Sequence, residues 1–208
     1  YVVQADKGSK LFTGFNKDLT KEEFLKHMED NTLPSVLNEE IVEKGDCYFI
    51  PAGRVHATGA GILFAEIQQT SDITYRIFDW NRVDKDGNPR DLHTDLSVDA
   101  IDFKKYPNYK TSFEKVANIS NPVATCPYFT TNFIPLTKMV DKDFAQLDSF
   151  IIYMCLAGKC KIEYDDRKIE ELSTGETVLI PASMKTFQLI PDNKADLLEV
   201  YIEDHNQD

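Results

Sequence analysis

The stretch Gly45-Asp-Cys-Tyr-Phe-Ile-Pro-Ala-Gly-Arg-Val-His-Ala-Thr58 contains the signals that decide the fold. A Gly-Asp turn leads into the short apolar run 48–50, which we predict to be a strand. Pro51 and Gly53 then end that strand and bend the backbone, and His56 follows on the next predicted strand. Such a corner would hold a histidine on a rigid, inward-facing position, as a metal site in a β-barrel requires. Taken alone, His56 also fits a hydrogen-bonded core residue, because one ligand does not make a metal site.

The same corner occurs a second time in the chain. Gly175-Glu-Thr-Val-Leu-Ile-Pro-Ala182 repeats residues 45–52 at an offset of 130, with the glycine, the acid, the isoleucine, the proline and the alanine in register. The second copy has Thr186 where the first has His56. Only the first copy can therefore supply a histidine ligand at this position.

The spacing of upstream glycines shows where the two copies differ in length. A strand pattern runs into a glycine turn before each corner, and the distance is 37 residues from Gly8 to Gly45 but 17 from Gly158 to Gly175. Residues 18–30 fill this excess with apolar residues at helical spacing, and Thr20 is a candidate N-cap. A second short helical piece is predicted at 35–38, after Pro34.

Strand patterns account for most of the remaining chain. In the first half they cover 1–5 and 10–15, joined by a hairpin-type turn at 6–9, and then 40–42, 61–68 and 71–80. In the second half they cover 128–134, 149–157, 160–164, 176–180, 186–190 and 195–202. Many short strands separated by Gly, Pro, Asn and Asp turns are typical of an antiparallel sandwich or barrel.

These patterns predict a mainly β protein with two jelly-roll barrels of the double-stranded β-helix type, and the corner motif resembles that of the cupins. Residues 1–103 are predicted to be the C-terminal portion of a metal-binding barrel with a helical insertion at about 18–38. Residues 104–208 are predicted to be a second, degenerate barrel. Because a core strand pattern starts at Tyr1, we expect part of the first barrel to precede this chain.

Charge and composition exclude several classes of partner. The chain has 23 Lys and Arg against 35 Asp and Glu, a net charge of −12, which disfavours nucleic acid and anionic membranes. No apolar run approaches the ~18 residues of a membrane span, and no signal sequence opens the chain. Four cysteines without C-x-x-C spacing, Cys47, Cys126, Cys155 and Cys160, favour buried, reduced thiols. We therefore expect a soluble cytoplasmic protein.

Two further polar residues stand out on predicted strands close to the corner. Glu66 projects from the strand that follows His56, and Arg76 lies in the middle of a β-branched and aromatic strand. A structural salt bridge from Arg76 to Asp72 or Asp79 is the simplest reading. A functional role is the alternative.

These residues together resemble a known family. Residues 45–56, then Glu66, then Ser71-Asp72-x-x-x-Arg76 resemble the type I mannose-6-phosphate isomerases, which are zinc-dependent enzymes with two cupin barrels. The motif Tyr75-Arg76-x-x-Asp79-Trp80 is similar to that of the short bacterial branch of this family, and the resemblance is strongest over residues 1–103.

The resemblance implies a role for each matching residue. His56 matches the last zinc ligand, Arg76 the catalytic arginine, and Glu66 an acidic residue of the substrate pocket. We expect Glu66 to position the residues that contact the metal or the substrate rather than to contact either itself. The family's remaining ligands, a Gln, a His and a Glu, are expected upstream of Tyr1. With only one ligand present, this chain by itself is expected to bind zinc poorly and to be inactive.

The implied activity is the interconversion of mannose 6-phosphate and fructose 6-phosphate, by zinc-dependent proton transfer through an enediol. Its partner is a small-molecule sugar phosphate and its cofactor is Zn²⁺. A non-catalytic cupin that binds a sugar or sugar phosphate is the alternative, and a scaffold without a ligand is a third. The oligomeric state and the group that moves the proton are left open by the sequence.

Overall fold

A computed structural model describes residues 1–71 and 73–203, so Asp72 of the predicted Ser71–Arg76 motif lies outside the described residues. The chain divides into two compact units, Tyr1–Lys110 and Thr111–Asp208. The structure is mainly β, with strands in both units. Within the described residues, no helix has the length and hydrophobicity needed to cross a membrane.

The first unit contains two small antiparallel sheets. Its elements are β1 (Val2–Ala5), β2 (Lys10–Phe15), α1 (Lys21–Glu29), a 3₁₀ turn (Leu33–Val36), β3 (Leu37–Ile41), β4 (His56–Thr58), β5 (Ile62–Phe64) and α2 (Thr94–Ser97). β1 pairs with β5, whereas β2 lies between β3 and β4. The predicted hairpin at residues 6–9 is therefore wrong, because this turn carries the chain from one sheet to the other.

Helix α1 forms where the sequence predicts it. Thr20 caps its N-terminus in a reciprocal capping box, in which the Thr20 hydroxyl accepts the Glu23 amide N–H and the Glu23 carboxylate accepts the Thr20 N–H. Its one fully buried side chain, Phe24, packs with Phe15 and Phe103 in an aromatic core. That α1 is an insertion relative to the second copy stays a prediction.

Two predicted strands of the first unit have irregular backbone instead. Residues 48–50 pair with no strand, and the Phe49 carbonyl accepts a hydrogen bond from the Arg54 side chain at 3.1 Å. Across the described part of 71–80 the N–H and carbonyl of Arg76 bond to His93 rather than to a neighbouring strand. Trp80 then turns the chain with a positive φ of 50°. Apolar alternation was insufficient here because side chains and loop residues take the hydrogen bonds that a ladder would need.

The second unit is built around one curved antiparallel sheet. Its strands are β6 (Asn121–Cys126), β7 (Phe129–Leu136), β8 (Val140–Asp143), β9 (Ile151–Tyr164), β10 (Lys168–Ser173), β11 (Thr177–Ile180) and β12 (Thr186–Tyr201). They lie in the order β10-β9-β12-β7-β6, with β11 also paired to β9 and β8 to β12. Because β9 and β12 each pair with three strands, the sheet encloses an apolar interior that includes Ile134, Tyr153 and Leu197.

The sequence pattern predicted two strands in place of each of the two longest strands of this unit. The predicted pair 149–157 and 160–164 is one strand, β9, and the predicted pair 186–190 and 195–202 is one strand, β12. Gly158, with φ 78°, lies within β9 opposite a register shift in β12. The apparent break is thus a β-bulge, at which the chain bends without ending the strand.

The repeated corner has the same backbone hydrogen bonds in both units. Gly45 and Gly175 adopt nearly equal positive φ values, 90° and 87°. The N–H of Gly45 donates to the Val2 carbonyl at 2.8 Å, and that of Gly175 donates to the Cys155 carbonyl at 2.8 Å. In return, the N–H of Val2 donates to the carbonyl of Asp46 at 2.8 Å, and the N–H of Cys155 donates to the carbonyl of Glu176 at 3.0 Å.

The acidic residue of the motif also has one role in both copies. Asp46 Oδ2 accepts the N–H of Glu43 at 2.9 Å, and Glu176 Oε2 accepts the N–H of Ser173 at 2.7 Å. Each carboxylate therefore closes the turn that precedes it. The Gly-[Asp/Glu] pair is a turn-forming device, and His56 is the chemically distinctive residue of the first corner.

Candidate metal and substrate site

His56 is the first residue of β4, where it lies opposite Thr13 of β2. Its Nδ1 lies 3.0 Å from the carbonyl oxygen of Arg54. Because a carbonyl can only accept, Nδ1 must carry the proton, which leaves the lone pair on Nε2. The imidazole is exposed rather than buried in the core. A backbone carbonyl that fixes the tautomer in this way is a common arrangement for histidine ligands of metals.

The turn before His56 is held by close backbone packing. Gly53 has φ 85°, and a Cβ atom there would lie 2.4 Å from the carbonyl oxygen of Ala100. The Gly53 carbonyl accepts the N–H of Asp102 at 2.9 Å. Only glycine fits this contact, which ties the corner to residues 100–102.

Arg54 supplies a second brace, which the sequence analysis did not single out. Its guanidinium lies over the rings of Tyr106 and Tyr109, 4.7 and 5.3 Å from their centroids. The Tyr109 hydroxyl donates to the Phe15 carbonyl at 2.8 Å, and the Tyr106 hydroxyl donates to Asp102 at 2.7 Å. The bond to the Asp102 carboxylate, together with desolvation, raises the pKa of Tyr106. The Tyr- and Pro-rich stretch 104–109 was the available signal for this contact.

Glu66 follows the short strand β5, which ends at Phe64 rather than at the predicted residue 68. The N–H of Ala65 donates to the Tyr1 carbonyl at 2.8 Å, and the Tyr1 amino group donates back to the Ala65 carbonyl at 2.9 Å. Ala65 is buried and Glu66 is exposed. The Glu66 carboxylate has no hydrogen bond or ion pair among the described residues, so it is open to a ligand.

Arg76 is held through its backbone by His93. The Arg76 N–H donates to His93 Nδ1 at 3.0 Å, and the His93 N–H donates to the Arg76 carbonyl at 2.8 Å. One side-chain nitrogen, Nη1, donates to the Asp91 carbonyl at 3.4 Å. His93 is half-buried, and its two bonds to the backbone of Arg76 position the arginine.

The structure does not pair Arg76 with Asp79. The buried Asp79 carboxylate is bound by Arg82, and Arg90 Nη1 lies 3.8 Å away. The hydrogen bond from Arg82, assisted by the nearby arginine charges, lowers the pKa of Asp79. The other predicted partner, Asp72, is not among the described residues. The Arg76 guanidinium forms no ion pair within the described part of the chain.

The three predicted site residues all belong to the first unit, but no hydrogen bond or ion pair in residues 1–71 and 73–203 joins them. Those residues also contain no group of three or more His, Cys, Asp or Glu side chains arranged to hold a metal. His56 could supply one ligand, whereas a zinc site needs at least three from the protein.

The four cysteines form no disulfide. Cys126 is half-buried and the other three are buried, so the expectation of burial from the sequence holds for three of the four.

Comparison with known proteins finds a matching domain and a similar fold. The model of the family described as "Mannose-6-phosphate isomerase, cupin domain" matches residues 118–198. The crystal structure of the mannose 6-phosphate isomerase from Bacillus subtilis superposes with a TM-score of 0.85 at 26% identity, covering 97% of this chain and 63% of that one.

The chain is similar to mannose-6-phosphate isomerases in sequence and in fold, and residues 118–198 match the cupin domain of that family.

Curated proteins named mannose-6-phosphate isomerase are similar to the chain over most of its length. The chain is 28% identical to the mannose-6-phosphate isomerase of Streptococcus mutans over 92% of its length, and 28% identical to mannose-6-phosphate isomerase ManA of Bacillus subtilis over 91%. It spans only 60% and 59% of those relatives. A phosphomannose isomerase from Salmonella typhimurium shares the fold at 14% identity, with a TM-score of 0.67. The fold is thus mainly β and of cupin type, and the predicted resemblance to mannose-6-phosphate isomerases is confirmed.

Proposed function

We propose that this chain forms part of a zinc-dependent isomerase that interconverts mannose 6-phosphate and fructose 6-phosphate. The observation that carries the proposal is the bond from His56 Nδ1 to the Arg54 carbonyl, which presents Nε2 as a free ligand. The family name supports a sugar-phosphate substrate. The equivalent corner of the second unit has Thr186 instead, so the metal belongs to the first unit.

In this proposal each side chain has a separate task. His56 contributes Nε2 to the metal, and the remaining ligands are expected upstream of Tyr1. Bound zinc would act as a Lewis acid that polarises the sugar oxygens. Arg76, which is always charged, either binds the phosphate or stabilises the negative charge that develops as a proton moves between C1 and C2 through an enediol. Glu66 presents an exposed carboxylate that supports the pocket or orients a substrate hydroxyl.

Removal of the His56 ligand tests the proposal. In a protein that also contains the residues preceding Tyr1, His56→Ala should lower both the bound zinc, measured by metal analysis, and the isomerase activity, measured by conversion of mannose 6-phosphate. His27→Ala is a control, because His27 is a half-buried histidine away from the corner and its Nδ1 bonds to Thr32 at 2.8 Å. Retention of zinc and activity in His56→Ala would remove this residue from the site.

The same assay separates the enzyme from a sugar-binding cupin. A non-catalytic protein would bind mannose 6-phosphate without converting it, even with zinc at full occupancy. Turnover that disappears in His56→Ala but persists in His27→Ala supports the isomerase.

A further inference from the structure

The second unit contains a polar cavity that the proposed isomerase site does not use. Its volume is about 340 Å³, within the range of roughly 300–1,000 Å³ typical of small-molecule sites. Side chains that line it include Ser120, Asp141, Lys142, Phe144, Glu199 and Tyr201. A neighbouring cavity of about 390 Å³ shares Asp143, Phe144 and Tyr201 with it, so the two form adjoining parts of one depression.

A buried ion pair forms the floor of this cavity. Glu199 is only 1% exposed, and Lys142 Nζ lies 2.5 Å from its Oε2. Glu199 also accepts hydrogen bonds from Ser120 at 2.7 Å, Asn132 at 3.1 Å and Tyr153 at 2.6 Å. The carboxylate is therefore fully satisfied by protein donors, which fixes the position of Lys142.

Such a cluster is an uncommon choice for packing alone. The interior positions that continue along the same strands are apolar, since Asn132 is followed by Ile134 and Glu199 is preceded by Leu197 on the same face. Well-packed apolar residues usually stabilise a core as well as a buried ion pair does, or better. The polar residues are concentrated at the end of the interior that opens into the cavity, which favours a binding role.

One hydrogen-bond donor of Lys142 remains available at this end of the sheet. Lys142 has three N–H donors, and two of them bond to Glu199 and Ser120. Its Nζ also lies over the ring of Phe144, 5.0 Å from the ring centroid. Lys142 lines the cavity, so a hydroxyl group of a ligand bound there could accept its remaining N–H.

The charges around the cavity select against ions. Among the described residues that line the cavity, the acidic Asp141, Asp143 and Glu199 outnumber the basic Lys142. The acidic Glu203 lines the adjoining part. A phosphate would be repelled by these carboxylates, and a metal cation would be repelled by the central ammonium group.

The walls of the cavity add an apolar surface. Phe144 stacks on Phe187 with their centroids 5.9 Å apart, and it meets Tyr201 edge-on at 6.1 Å. Aromatic faces beside a few fixed polar groups can hold the C–H face of a sugar ring while the polar groups orient its hydroxyls. We propose that this cavity binds an uncharged polyhydroxylated molecule, namely a free sugar or sugar alcohol rather than a phosphorylated sugar.

Titration calorimetry on the full chain tests the proposal with D-mannose, D-mannitol and mannose 6-phosphate as separate probes. We expect at least one uncharged probe to bind with a Kd of about 1 mM or tighter, and mannose 6-phosphate to bind at least tenfold more weakly. Lys142→Met should weaken binding of the uncharged probe at least tenfold. Lys168→Met is the matched control, because Lys168 Nζ also lies over an aromatic ring, 6.0 Å from the Tyr164 centroid, and pairs with Asp165 at 3.3 Å, but it does not line the cavity.

A second variant guards against loss of folding, since Lys142→Met leaves the Glu199 charge unpaired. Phe144→Leu keeps apolar volume but removes the aromatic face, and it should also weaken binding at least tenfold with an unchanged far-UV circular dichroism spectrum. No binding of either uncharged probe by the wild-type chain would overturn the proposal, as would tighter binding of mannose 6-phosphate at this cavity. Binding unchanged in both variants would place the ligand elsewhere. His56→Ala should leave this binding unchanged, so the result is independent of the proposed isomerase function.

Discussion

The carbonyl oxygen of Arg54 lies 3.0 Å from Nδ1 of His56, and the side chain of the same arginine lies over the rings of Tyr106 and Tyr109. One residue therefore sets the tautomer of the candidate ligand and anchors the turn that carries it. The stability of the corner and the chemistry of His56 should accordingly respond together to changes at Arg54.

Arg54→Met should lower the free energy of unfolding of the first unit by about 1–3 kcal/mol, because it removes two cation–π contacts and a hydrogen bond to Phe49. Trp80 is the single tryptophan, so its fluorescence during urea unfolding reports on this unit alone. Arg54→Lys keeps a cation over the rings but loses the planar guanidinium group. Its free energy of unfolding should lie between those of Arg54→Met and the wild type. Equal stability of Arg54→Met and the wild type would contradict the bracing role.

Gly53→Ala should be more destabilising than Gly8→Ala. Both glycines have similar positive φ values, 85° and 83°, but a Cβ at Gly53 would lie 2.4 Å from the Ala100 oxygen whereas nothing lies within 4 Å at Gly8. Backbone strain alone costs about 1 kcal/mol, so we expect this loss for Gly8→Ala and at least about 2 kcal/mol for Gly53→Ala. Trp80 fluorescence measures both, and equal losses would mean that the contact with Ala100 is not tight.

Arg76→Ala should separate catalysis from metal binding. If the proposed zinc site is completed by ligands upstream of Tyr1, we expect kcat/KM of that protein to fall about 100-fold or more while its zinc content stays constant, as for loss of a group that stabilises charge in the transition state. Lys21→Ala, which removes an exposed cation paired with Asp99, is the control and should leave both unchanged. Loss of zinc or of folding in Arg76→Ala would favour a structural role.

The four thiols should differ in reactivity. Cys126 is half-buried, whereas Cys47, Cys155 and Cys160 are buried. Burial also raises the pKa of the Cys160 thiol to about 12, which suppresses the reactive thiolate. At pH 8 we expect one fast-reacting thiol, identified as Cys126 by mass spectrometry after alkylation, and reaction of the other three only on unfolding. Fast labelling of Cys160 in the folded chain would contradict the packing of β9.

The raised pKa of Cys160 also predicts a pH dependence of stability. Its ordinary value is 9.0 and its folded-state value is about 12, so the unfolded chain loses this proton first as the pH rises. The stability that the neutral Cys160 thiol contributes is fully present below pH 9 and is lost as the pH rises through about 12. Cys160→Ala should therefore flatten the decline in unfolding free energy above pH 9, measured by far-UV circular dichroism. A parallel decline in the variant and the wild type would rule out this contribution.

Local signals predicted much of this fold correctly. The Thr20 cap, helix α1 and strand β2 were evident because their side-chain patterns and their backbone hydrogen bonds agree. The pattern failed at residues 48–50 and over 71–80, where Arg54 and His93 take the backbone bonds of Phe49 and Arg76. Those partners lie outside the two predicted strands, 5 and 17 positions away, and apolar alternation contains no information about them.

The candidate site was predicted in part for a similar reason. His56, Glu66 and Arg76 were found from spacing and family resemblance, but the residues that hold them were not. Arg54 and His93 act through contacts with segments 17 to 55 positions away in sequence, and such contacts follow from the assembled fold. The polar cluster around Glu199 has the same origin, because Lys142, Asn132 and Glu199 come from three separate strands.

The matching corners at Gly45 and Gly175 have an evolutionary consequence. The same turn forms with His56 in one copy and with Thr186 in the other, so the hydrogen bonds that build it do not depend on the side chain at that position. After a duplication, one copy could lose its ligand, or acquire a different one, without loss of folding. Selection could then keep metal chemistry in one half of the chain and leave the other half free to diverge.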